Sequence, residues 1–122
     1  MVFFKRNPKV YDTGIVMLTG SFAPNGSSAV SAASNKGKGF TVARASQGVF
    51  TITLDQAYAE FQSGQATLQH TTAADLEAQL GDYDATAKTL SVRVHTAGTA
   101  TDVTANANSR VHFVLVLQKS AN

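Results

Sequence analysis

The stretch that most constrains the fold is residues 39–54, Gly-Phe-Thr-Val-Ala-Arg-Ala-Ser-Gln-Gly-Val-Phe-Thr-Ile-Thr-Leu. Apolar residues alternate with small or polar ones on both sides of Ser46-Gln47-Gly48. Phe40, Val42 and Ala45 fall on one segment, and Val49, Phe50, Ile52 and Leu54 on the next. A period of two in β-branched and aromatic residues predicts two strands. A three-residue connection ending in Gly suits a type I turn closed by a left-handed residue, a conformation that glycine enters without steric cost. The stretch therefore predicts a β-hairpin whose register is set by its turn, and with it an all-β scaffold.

Other segments follow the same logic. Ile15-Val16-Met17-Leu18, bounded by Gly14 and Gly20, predicts a short buried strand with Phe22 extending its packing. Residues 23–38 carry Pro24, Asn25-Gly26 and a Ser/Ala/Asn-rich tract, the chemistry of a long surface loop, with a short helical turn over residues 27–34 as the alternative. Asp55 as a cap, with Tyr58 and Phe61 three apart, predicts one or two helical turns over residues 55–62, the two aromatics plugging an open end of the sandwich rather than binding a ligand. Residues 65–70 alternate, with Ala66 and Leu68 inward. Leu76, Ala78 and Leu80 share a face until Gly81 shifts the pattern toward Tyr83, which predicts a bulge. Residues 84–88 are turn chemistry, and residues 90–95 complete a second hairpin. Residues 97–109 are a polar loop anchored by Val103.

The last predicted strand, residues 110–119, is different. Val111, Phe113, Leu115 and Leu117 fill one face, while Val114 and Val116 fill much of the other. Both faces want cover, so the strand is either central in a two-layered structure or part of an interface. The expected fold is all-β, an antiparallel β-sandwich or jelly-roll-like barrel. Residues 14–122 form its single domain, and residues 1–13, which contain Pro8 and lack periodicity, form an extended N-terminal arm.

Composition narrows the chemistry. With no cysteine, neither a disulfide framework nor a thiolate site is possible. Only 15% of residues are charged, and the small polar residues that replace them suit surfaces facing other protein. Residues 1–44 hold six basic side chains against Asp12 alone, while residues 45–122 hold four basic and seven acidic ones. Opposite parts of the chain would therefore attract one another within or between subunits. Phe3 and Phe4 precede Lys5 and Arg6 but do not interleave with basic residues, so nucleic acid is not an expected partner. No apolar run approaches the roughly 20 residues of a membrane span, and the first ten residues lack a signal-peptide core. The expectation is a soluble, unexported chain with no membrane partner.

Catalytic and ligand motifs fail on spacing. Gly37-Lys38-Gly39 lacks the earlier Gly and the following Ser or Thr of a phosphate loop, and it lacks the third Gly of a dinucleotide fingerprint. It reads instead as a flexible lead-in to a strand. His70, His95 and His112 lie on different predicted strands and would hold a metal only by converging. No Gly-x-Ser-x-Gly elbow is present, and Asp82 and Asp84 sit on one strand rather than across a cleft. Asn25-Gly26-Ser27 matches a glycosylation acceptor but equally spells a tight turn. No enzyme activity, cofactor or metal is expected.

Three phrases carry a resemblance: Gly20-Ser-Phe-Ala-Pro-Asn-Gly-Ser-Ser, the hairpin of residues 39–54, and Arg110-Val-His-Phe-Val-Leu-Val-Leu-Gln-Lys-Ser. Together, over most of residues 14–120, the chain resembles small virion structural proteins of tailed bacteriophages. The resemblance implies a capsid decoration or cement subunit, made in the host cytoplasm and placed on the capsid surface, where it bridges neighbouring capsomers. Its partners would be the major capsid protein and copies of itself, most simply a homotrimer. The expected docking arm comprises Phe3, Phe4, Lys5, Arg6 and Lys9. The expected oligomer interface is the last strand, through Val111, Phe113, Val114, Leu115, Val116 and Leu117. A receptor- or glycan-binding head of a fibre or spike, using loops 23–38 and 97–109, is the alternative. Gly48-Val49-Phe50-Thr51-Ile52 is also loosely similar to strand entries of trimeric tumour-necrosis-factor-like and complement-type jelly rolls.

Overall fold

The computed structural model describes residues 14–71, 75–106 and 108–119. Nine strands follow in order: β1 (Ile15–Phe22), β2 (Lys36–Gly37), β3 (Phe40–Ser46), β4 (Val49–Leu54), β5 (Glu60–Gln69), β6 (Glu77–Asp84), β7 (Thr89–Thr96), β8 (Thr99–Ala100) and β9 (Arg110–Gln118). Sheet A has the order β2-β1-β9-β5 and sheet B the order β3-β4-β7-β6, with β8 added to the end of β7. Every pairing is antiparallel, and the two sheets enclose one core as an antiparallel β-sandwich. Among the described residues, no helix is long and apolar enough to cross a membrane.

The predicted hairpins form. In β3–β4, Phe40 lies opposite Leu54 and Val42 opposite Ile52, with a register shift between Arg44 and Ser46 just before the turn. Gly48 closes that turn at φ +67°, the left-handed conformation expected of it, and only glycine fits the space. A Cβ there would lie 2.5 Å from the Thr101 nitrogen and 2.6 Å from the Val94 oxygen. In β6–β7 the register shifts between Leu80 and Tyr83, the bulge that the broken alternation at Gly81 foretold.

The core is built from the inward rows of both sheets. Sheet A contributes Leu18 and Phe22 with Val111, Phe113, Leu115 and Leu117. Sheet B contributes Phe40, Phe50, Ile52 and Leu54 with Leu90, Val92 and Val94. Phe22 packs against Phe50, and Phe40 meets Phe113 edge-on, each pair with ring centroids 5.0 Å apart. Each fully buried side chain of this size contributes about 1.5–3 kcal/mol. β5 and β6 lie side by side along one flank. There a Cβ on Gly64 would lie 2.6 Å from the Val114 carbonyl oxygen of β9 and 3.0 Å from Leu80 Cδ1 of β6, so glycine fits where β5 runs against β9.

Three local expectations are corrected. Residues 55–59 form no helical turn: the Asp55 N–H donates to the Gly39 carbonyl and the Ala59 N–H to the Gln118 carbonyl, so the backbone is spent on its neighbours. Tyr58 is nevertheless buried as the plug, held by Tyr83, whose hydroxyl donates to the Tyr58 carbonyl at 2.6 Å. The loop of residues 23–38 holds a 3-10 turn at Ala32–Ser34, inside the stretch given as the helical alternative, and departs from the expectation at its end, where Lys36–Gly37 form β2. The loop after β7 begins with a two-residue turn, Ala97-Gly98, that returns the chain as β8 before Val103 anchors it.

Candidate interaction surface

Alternation along sheet A decides what the protein shows its surroundings. On β9, Val111, Phe113, Leu115 and Leu117 point inward and are at most 2% exposed, so the chain's own core consumes them. Of the six residues expected in a subunit interface, only Val114 and Val116 face outward, each half-buried. Their ladder partners on β1 are Thr19 and Met17. Met17 is 69% exposed, the one large hydrophobic side chain left exposed among the described residues, and half-buried Ile15 lies on the same side of β1. The result is an apolar stripe of Ile15, Met17, Val114 and Val116 on the outer face, flanked by Ser63 and Gln65 of β5.

Sequence reasoning missed Met17 because four successive apolar residues read as a strand buried on both sides. The signal was the strand's position beside β9, which periodicity does not carry. The expected docking residues Phe3, Phe4, Lys5, Arg6 and Lys9, with the rest of the arm, lie outside the described residues.

The other end of the same face is polar. Lys36, Ser21, His112 and Thr67 form one row across the four strands of sheet A. Arg110 donates from Nε and Nη2 to Ser21 Oγ at 3.2 and 3.1 Å, and from Nη2 to the Ser34 carbonyl, which clamps the 3-10 turn over the sheet. These acceptors are neutral, and among the described residues Arg110 has no ion-pair partner. An open depression of about 390 Å³ lies here, lined by Thr19, Ser21, Lys36, Gly37, His112 and Val114.

The three histidines do not converge. His70 Nδ1 bonds Ser109 Oγ, His95 Nε2 bonds Gln79 Oε1, and His112 Nε2 bonds Gln69 Oε1. No group of three His, Cys, Asp or Glu side chains suited to a metal ion occurs among the described residues. Gly37-Lys38-Gly39 runs from β2 into β3. Asp84 accepts from the Thr86 and Ala87 N–H groups and so caps the β6–β7 turn, while Asp82 is exposed within the bulge. Asn25-Gly26-Ser27 belongs to a tight turn, with the Ser28 N–H on the Asn25 carbonyl at 2.9 Å. The Gly26 N–H donates to the Val103 carbonyl, bringing the loops of residues 23–35 and 101–109 together. An open depression of about 430 Å³ lies between them, lined in part by Ala23, Pro24, Asn25 and Asn106.

One ion pair occurs among the described residues. Arg44 donates from Nε to Asp102 Oδ1 at 3.1 Å and from Nη2 to Oδ2 at 2.8 Å, and the Gly48 N–H donates to Oδ1 at 2.9 Å. The Arg44 hydrogen bond, followed by that from Gly48, holds the Asp102 carboxyl below its ordinary value, against a small opposing effect of burial. The pair fastens the β3–β4 turn to the chain leaving β8. It is a structural clasp in which both Asp102 carboxylate oxygens are taken.

Fold and surface together define a two-sheet antiparallel β-sandwich with an outward apolar stripe on the sheet that holds its C-terminal strand. Compared with protein-family models, curated proteins and solved structures, the chain matches none.

Proposed function

We propose that the chain is a structural subunit of a tailed-phage virion, a capsid decoration or cement protein that oligomerises, most simply as a trimer, and bridges capsomers of the head. The observation that carries this reading is the stripe of Ile15, Met17, Val114 and Val116. It is apolar and solvent-facing on the central strands of a sheet whose other side is a filled core. A surface of this kind gains stability by meeting another protein, and the resemblance of residues 14–120 to phage virion proteins supplies that partner as a repeating shell. Cement action needs no bond chemistry. Many modest contacts act together because each tethered subunit raises the effective concentration of the next.

The test is co-sedimentation of the full chain with expanded phage heads lacking it, measured as copies bound per shell. Wild type should saturate at a fixed ratio to the major capsid protein, and Met17→Glu should lower occupancy about tenfold, as expected for charge placed in an apolar contact. Wild type that fails to bind, or unchanged occupancy of Met17→Glu, would sink the reading. The apposed loops at residues 23–35 and 101–109 favour a second reading, a receptor- or glycan-binding head of a fibre or spike. Specific binding on a glycan array, lost in Asn106→Ala, would select it.

A further inference from the structure

Charge on the described part of the molecule is sorted by flank. On one side, β2, the residue after it and the start of β9 carry Lys36, Lys38 and Arg110, with Lys36 and Lys38 exposed, and the Asp55 N–H donates to the Gly39 carbonyl next to them. On the opposite side, β6 and the residue pair before it carry Asp75, Glu77, Asp82 and Asp84, all exposed. Two cations of β7 and its turn, Arg93 and Lys88, lie beside that edge. Neither group forms an ion pair, since Arg44–Asp102 is the one such pair among the described residues. Each flank therefore keeps an uncompensated excess, positive beside β2 and negative along β6.

Their placement follows from the strand order. β2 is one edge of sheet A, while β6 is the edge of sheet B beside β5, at the far side of sheet A. Two complementary patches on opposite flanks of one chain cannot meet within it. A contact that joins them is one between copies, head to tail rather than face to face. A head-to-tail contact closes into a ring when the rotation per subunit divides the circle. The basic flank also borders the open depression lined by Ser21, Lys36 and His112.

We propose that copies of this chain assemble head to tail, the acidic β6 edge of one (Asp75, Glu77, Asp82) seating against the basic flank of the next (Lys36, Lys38, Arg110). The proposal rests on the oligomeric half of the reading above and names its contact. A ring built this way gives sheet A of every subunit the same orientation to the ring axis. Exposed charges give such a contact its register and its salt sensitivity, because pairs of this kind are screened within about 10 Å at 0.1 M salt.

Sedimentation velocity of the full chain, at about 50 mM and about 500 mM salt, tests it. Wild type should associate at low salt and weaken at least about tenfold at high salt. Lys36→Glu with Lys38→Glu, and separately Glu77→Lys with Asp82→Lys, should each weaken association by about tenfold or more, and all four changes in one chain should restore it. The neutral pair Lys36→Gln with Lys38→Gln should fall between, and circular dichroism identifies any variant that fails to fold. A wild type that stays monomeric at about 100 μM and low salt, or reversals that leave association unchanged, overturns the proposal. The head-binding assay separates the two readings. Monomers that still decorate heads sink the ring alone, whereas a salt-sensitive ring that ignores heads sinks the decoration reading alone.

Discussion

Asp102 is the residue whose chemistry is most fully committed, with both carboxylate oxygens engaged by Arg44 and the Gly48 N–H. Its carboxyl titrates lower in the folded chain than in the unfolded one, so it contributes stability that is fully present above the unfolded value of about 4. That contribution is lost as pH falls through the lower folded value. Asp102→Asn should therefore be less stable than wild type at neutral pH, and the gap should shrink once pH drops below about 4. Urea midpoints across a pH series measure it, and a gap of constant size would assign the loss to something other than this charge. A second residue-scale prediction concerns Ala97. Ala97 and Gly98 turn the chain between Thr96 and Thr99 with φ of +49° and +85°, the geometry of a type I′ turn, in which alanine is strained and asparagine is not. Ala97→Asn should raise stability by about 0.5–1 kcal/mol in thermal or urea unfolding, and a loss would mean that the turn has another conformation.

At the scale of elements, β9 joins the core to the surface. Leu115 lies between Leu18 of β1 and Gly64 of β5 on the inner face, fully buried, whereas Val116 next to it faces out beside Met17. Leu115→Ala should cost about 2–5 kcal/mol by leaving a cavity, while Val116→Thr should cost less than about 1 kcal/mol, because its side chain is still partly in water. Equal costs in denaturant unfolding would show that the outward face is covered even in the single chain. Strands with clean alternation were legible in the sequence, residues 49–54 and 90–95 above all, and so was the bulge at Gly81. Glycine at position 48 was legible for the same reason, since left-handed geometry is a local demand. What could not be read was whatever depends on a distant partner. Tyr58 and Phe61 sit three apart, as on a helix, yet the backbone of Asp55 and Ala59 is captured by Gly39 and Gln118. Two-residue β2 exists only because β1 is beside it. The outward Met17 was hidden in a run of four apolar residues, because the face that stays bare is set by β9 and not by β1. The charge asymmetry between halves of the chain was visible, but its sorting onto opposite flanks appears only once β6 is placed away from β2.

For the whole molecule, strand order sets which contacts are local and which must wait for loop closure. Sheet B contains two local hairpins, β3–β4 and β6–β7, whose strands are close in sequence. Sheet A has no such start: β1 pairs with β9 from Ile15↔Gln118 to Phe22↔Val111, and β5 pairs with the same β9. Loop closure across the chain must be met before any of those contacts returns energy, so folding should be slow for the size, on the order of milliseconds to seconds. The hairpins of sheet B should already be present at the barrier. Ile52→Val in sheet B should then slow refolding by more than about half of its equilibrium effect, whereas Leu115→Ala in sheet A should act mainly by speeding unfolding. Stopped-flow chevrons at protein concentrations below association measure both. A Leu115→Ala chain whose refolding slows by the full amount of its lost stability would place β9 in the folding nucleus and reverse the order, with sheet A forming first and the hairpins of sheet B condensing onto it.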